Sequence, residues 1–154
     1  MGMTTRSVEP IATNPRVAVC AFAADAAAVV LFCAVGRRNH AESVTLSGVA
    51  ETAWPFLAGL AAGWLLYRAW RRPTEISPTG LTVWLSTVVI GMGIRAWTGA
   101  GIALSFVVVA TLATGTLLLG WRAIAAAATK RRGRESRLRG RGNLEGLIAA
   151  AAGP

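Results

Sequence analysis

Gly91-Met92-Gly93-Ile94-Arg95-Ala96-Trp97-Thr98-Gly99-Ala100-Gly101 decides how this chain folds. It closes an apolar run that begins at Gly80 and opens a second that ends around Trp121 and Arg122. Only a few residues separate the runs, so they are expected to fold back on each other as an antiparallel helical pair. Arg95 sets a fixed positive charge at the end of the first run, at the edge of what reads as hydrocarbon.

Two more apolar runs precede this pair. About 20 residues of helix cross the roughly 30 Å of a bilayer core. The sequence predicts four such helices, over about 17–35, 48–69, 80–97 and 101–122. The expected fold is an all-α membrane protein with four transmembrane helices in two antiparallel hairpins. Residues 16–128 form the membrane domain. Residues 1–15, polar and holding Pro10 and Pro15, are expected to be disordered, as is most of the basic stretch 129–154.

Composition agrees. Of the 154 residues 54% are hydrophobic and 15% charged, with a mean hydropathy of +0.51. An average soluble domain is about 25% charged; this chain has too little polar surface to cover its outside in water. The first run is too long for a secretory signal, carries Asp25, and ends in Gly36-Arg37-Arg38 rather than at a cleavage pattern. The abundance of Ala, Gly and Arg suggests a GC-rich bacterial genome.

The net charge of +9 flanks the apolar runs. Eight of the sixteen Lys and Arg lie from Arg122 onward. Arg68, Arg71 and Arg72 occupy the loop between the second and third runs. With both termini in the cytoplasm, thirteen basic residues lie inside and three, Arg37, Arg38 and Arg95, outside. That bias sets the expected orientation in the bacterial plasma (inner) membrane. The tail 130–142 is expected to meet anionic lipid heads. Nucleic acid is not an expected partner, because no aromatic residues interleave with the basic ones.

Charge within hydrocarbon costs about 2.5–3.5 kcal/mol per residue on insertion scales. Asp25, Glu51 and Arg95 therefore form a candidate polar site, with Thr87 on the same helix face as Arg95. Glu51 and Arg95 share an outer depth and have opposite sign, which predicts an ion pair. Asp25 lies deeper, and is expected either to be protonated or to bond Thr82, Thr87, Ser105 or Thr111. Arg37, Arg38 and His40 line the outer loop. Gly59 and Gly63, four apart, suit close helix packing within the bundle or between copies in a homo-oligomer. Gly91 and Gly93 leave room for a neighbouring backbone or a small ligand. Trp70, Trp84, Trp97 and Trp121 are placed at the interfaces, and Trp54 and Trp64 deeper as packing residues. Cys20 and Cys33 lie about 20 Å apart along one helix, which rules out a bridge. One His and no Cys pair make a metal site unexpected. No phosphate-binding loop appears, so no cofactor is expected and no catalytic residue is assigned.

The chain resembles the bacterial membrane family of unknown function DUF3054. The resemblance rests on Asp25, Gly36-Arg37-Arg38-Asn39-His40, Glu51-Thr52-Ala53-Trp54-Pro55-Phe56, Trp84-Leu85-Ser86-Thr87 through Gly91 to Arg95, and Leu119-Gly120-Trp121-Arg122. It covers 17–122 and implies four membrane helices with no assigned activity. Three functional readings stand beside it. The first is a structural or accessory protein. The second is a small transporter or proton-coupled permease subunit using Asp25, Glu51 and Arg95. The third is a membrane enzyme acting on a lipid or quinone head group near Arg37, Arg38 and His40.

Overall fold

The computed structural model describes residues 14–39 and 45–151, with backbone alone for 39 and 144–151. Four long helices carry the chain: α1 (Pro15–Asn39), α2 (Leu46–Leu66), α3 (Leu81–Trp97) and α4 (Leu104–Ala151). No strand occurs among the described residues. Four spans along them are long and apolar enough to cross a membrane, the third running from Ile76, before α3, to Trp97. Most of the expected irregular N-terminal segment, 1–13, lies outside the described residues.

The helix ends follow local chemistry. Asn14 precedes Pro15, and its side-chain oxygen accepts from the Arg16 amide at 3.1 Å. A proline in the first turn costs nothing, since that amide has no intrahelical partner. Thr45 caps α2 by accepting from the Gly48 amide at 3.2 Å. Pro55 sits inside α2 and is buried; membrane helices tolerate such prolines where neighbouring helices cover the freed backbone. α2 stops at Leu66, short of the expected 69, because Arg68 turns left-handed with φ +52°. A short turn at Ala69–Arg71 and another at Ile76–Gly80 lead into α3.

The most extensive packing joins α2 to α3, which belong to different expected hairpins. Glycine makes this contact. A Cβ built on Gly59 would stand 2.7 Å from the Ser86 carbonyl oxygen and 2.9 Å from that of Thr87. On Gly63 it would meet Val83 Cα at 3.0 Å, and on Gly91 the Phe56 ring at 2.6 Å. The contacts run in opposite chain directions along the two helices. The small-residue face of α2 is therefore turned on α3 within one chain. Gly93 differs from the other three: it is exposed and has nothing within 4 Å of its Cβ position. It does not hold a neighbouring backbone. Gly93→Ala should thus leave the fold intact and stabilise it by about 0.5–1 kcal/mol through helix propensity. A measurable loss in detergent unfolding would contradict this placement.

Two apolar clusters fill the interior. Toward the end where α3 turns into α4, Phe32, Phe56 and Phe106 meet with ring centroids 5.9–6.4 Å apart. At the other end Ala21, Leu60, Trp64, Val83 and Leu118 close the bundle, with Ala69 of the turn buried among them.

The basic stretch corrects an expectation. Residues 129–151 continue α4 as one helix of 48 residues, about 72 Å long at 1.5 Å per residue. The stretch lacks apolar periodicity and its described side chains are exposed, which argued for irregular chain. It is nevertheless rich in Ala, Arg, Leu and Glu, all strong helix formers. It also extends a helix already formed, so no new turn has to be nucleated.

Candidate functional site

Asp25 lies in the lower half of α1 and Arg122 in α4, both fully buried. They form a bidentate pair: Arg122 Nη1 donates to Asp25 Oδ1 and Nη2 to Oδ2, each at 2.7 Å. Two tryptophans complete the cluster. Trp64 Nε1 of α2 donates to Oδ2 at 2.9 Å, and Trp121 Nε1 of α4 to Oδ1 at 2.8 Å. A carboxylate offers about four acceptor directions, and here four donors take them.

Four of the five Arg122 N–H groups have acceptors. Its Nε donates to the Pro73 carbonyl at 3.1 Å, and Nη1 also reaches the Leu118 carbonyl at 2.8 Å. The guanidinium stacks 4.5 Å from the Trp121 ring centroid. Gly80 makes room for the stem: a Cβ there would stand 2.9 Å from Arg122 Cδ. The cluster thus ties α1, α2 and α4 to the 67–80 connection at one end of the bundle. Two buried charges repay their desolvation only with good geometry and further hydrogen bonds around the pair. This pair has both.

The expected partners of Asp25 are elsewhere engaged. Thr87 is buried, but its hydroxyl donates to Val83 O at 2.7 Å within its own helix. Thr82 and Thr111 likewise bond carbonyls four residues back. Ser105 lies in the first turn of α4, at the opposite end of the bundle. Trp64 and Trp121, read as packing and interfacial residues, are instead ligands of the acid. Trp54 faces outward and is 47% exposed.

The expected Glu51–Arg95 pair is not formed. Glu51 is exposed on α2 and makes no ion pair among the described residues. Arg95 turns to the start of α4: Nη2 donates to the carbonyls of Ala100 at 3.0 Å and Gly101 at 3.4 Å, and the guanidinium lies 4.5 Å from the Phe106 ring centroid. Equal depth placed Glu51 and Arg95 at one level, but they point to different sides of their helices. Arg37 Nη1 donates to Thr52 Oγ1 at 3.2 Å, and its guanidinium occupies the space that a side chain at Gly48 would fill. Arg38 is exposed, and His40 lies outside the described residues. Arg37 and Arg95 both line a cavity of about 550 Å³ at the end where α3 turns into α4.

Arg122 had a signal in the sequence. It is an arginine with apolar chain on both sides, Leu117-Leu118-Leu119-Gly120-Trp121 before it and Ala123-Ile124-Ala125 after it. That setting, and not the basic flank that begins at Lys130, marks it as a partner for the lone acid of α1.

Among the described residues no group of three or more His, Cys, Asp and Glu is placed to hold a metal ion. Four apolar helices locked at one end by a buried ion pair define a multi-pass integral membrane protein. The chain belongs to the family described as "Protein of unknown function (DUF3054)", whose model matches residues 22–125 and so includes Asp25, Trp64, Trp121 and Arg122. No curated protein and no solved structure matches it.

Proposed function

We propose that the protein is a structural or accessory component of the bacterial plasma membrane, with both termini in the cytoplasm, and not a proton-coupled permease. The observation that carries this reading is the Asp25 carboxylate, whose two oxygens each receive two N–H donors. A relay residue needs an acceptor position open to a proton. Here one would open only by breaking the bonds that hold α1, α2 and α4 together. Nor do the three residues of the transport reading converge: Asp25 is in the lower cluster, Glu51 faces outward, and Arg95 lines the outer cavity.

The orientation is supported by which charges share an end. The Arg122–Pro73 bond sets the loop bearing Arg68, Arg71 and Arg72 beside the base of the long α4 extension. Arg37 and Arg95 gather at the other end. The extension carries Lys130, Arg131, Arg132 and Arg134 next to that base, where anionic lipid heads would attract them at about 1 kcal/mol per residue near the surface. Self-association through Gly59 and Gly63 is not part of this reading, since α3 occupies that face.

Proteoliposomes with an internal pH-sensitive dye should show no proton uptake above protein-free vesicles. In a chain with Cys20 and Cys33 changed to Ala, a membrane-impermeant maleimide added to cells should label Ala100→Cys and leave Ser136→Cys unlabelled. Proton uptake that Asp25→Asn abolishes would overturn the accessory reading. Labelling of both cysteines from outside would overturn the threading.

A further inference from the structure

The outer cavity holds two guanidinium groups. Arg37 of α1 and Arg95 of α3 line it, with Thr52 of α2 and Ser105 of α4, and among the described residues its lining includes no acidic side chain. Arg95 is incompletely used. Its Nη2 bonds two carbonyls, but its Nε is closed off from solvent and has no acceptor among the described residues. A buried donor without a partner is costly, and an acceptor oxygen placed there would relieve it. The first turn of α4 opens onto the same space, with Ala103 and Ser105 in the wall. Its unpaired amides and the positive end of the helix dipole add to the field of the guanidinium groups. Each of these features favours an oxyanion.

The cavity has an apolar continuation. A second space of about 610 Å³ shares Phe32, Gly36 and Val109 with the first. It runs between α1 and α4 past Leu31, Val35 and Leu112 to Leu117. From Val109 to Leu117 the rise along α4 is about 12 Å. Leu31, Val35 and Leu112 are 53%, 48% and 65% exposed, so the groove opens sideways to where acyl chains lie. Its one hydroxyl, on Thr116, is turned to the Leu112 carbonyl at 2.8 Å.

We propose that these two spaces form one binding site for an anionic lipid with a single acyl chain, its oxyanion head beside Arg95 and Arg37 and its chain in the groove between α1 and α4. The charge of the head answers the guanidinium groups, and an acceptor oxygen satisfies Arg95 Nε. A zwitterionic head of the same chain length brings a cation beside the guanidinium groups, and a neutral head offers Arg95 Nε only a weaker acceptor. Inorganic phosphate alone fills the head position but leaves the groove without its chain. This inference goes beyond the accessory role and stands or falls apart from it.

The test is binding of lysophosphatidic acid to the full chain in non-ionic detergent, followed by native mass spectrometry. The comparison ligands are lysophosphatidylcholine of equal chain length and inorganic phosphate. Lysophosphatidic acid should bind at least tenfold tighter than lysophosphatidylcholine, and millimolar phosphate should not displace it. Leu112→Trp, which fills the groove from its lipid side, should weaken binding tenfold or more with Tm unchanged. Arg95→Gln should do the same from the head side. Equal binding of both lysolipids would overturn the proposal. So would displacement by phosphate, which marks a head position without a chain, or unaltered affinity in Leu112→Trp. Should Arg95→Gln not fold, the ligand series and Leu112→Trp still decide.

Discussion

Asp25→Asn is expected to destabilise the bundle by about 3–5 kcal/mol, the usual cost of leaving one member of a buried ion pair without its partner. Arg122 has no exposure through which to rehydrate, and an amide returns only part of the lost attraction. The same reasoning predicts a rescue. In Asp25→Leu combined with Arg122→Met both charges are gone, and an apolar pair of similar volume is often neutral or better. Recovery should be incomplete, because the Trp64 and Trp121 N–H groups lose their acceptor, at about 1–3 kcal/mol each. Unfolding in mixed micelles of rising sodium dodecyl sulfate reads both effects. A double variant no more stable than Asp25→Leu alone, which orphans the same two N–H groups, would show that uncompensated charge is not the cause.

The second large effect belongs to Gly59. Its Cβ position is bounded by backbone atoms, the carbonyl oxygens of Ser86 and Thr87 and the Thr87 Cα at 3.0 Å. Backbone in the middle of α3 cannot swing aside as a side-chain end can. Gly59→Leu must push α2 and α3 apart along the interface that holds most of their contact. The cost should reach the upper end of the 1–3 kcal/mol typical of overpacking, with loss of the folded species in size-exclusion chromatography. Gly48 gives a contrast, because its neighbour is the far end of the Arg37 side chain. A Gly59→Leu protein as stable as the parent would mean that the helices do not meet there.

Much of the candidate site was half legible. Asp25 stood out as the lone acid of an apolar run, and the cost of burying it demanded a partner. The partner was missed because depth along the helices was estimated without direction around them. Glu51 and Arg95 match in depth and sign, yet Glu51 faces outward and Arg95 faces the start of α4. The small-residue spacing of Gly59 and Gly63 announced a close contact without naming the surface that fills it. Gly93 shows the reverse: the same residue type two positions from Gly91 meets nothing.

The amino-acid sequence alone determined that this chain is helical, that four of its segments suit hydrocarbon, and that its positive charge lies at their ends. Those follow from hydropathy and run length, properties that each segment carries by itself. Only the tertiary structure decided that Arg122 answers Asp25, that two tryptophans complete the cage, and that Arg95 borders a cavity instead of pairing with Glu51. Such choices depend on how each helix is rotated about its axis against the others. That rotation is set by all the packing contacts together, and no single segment encodes it.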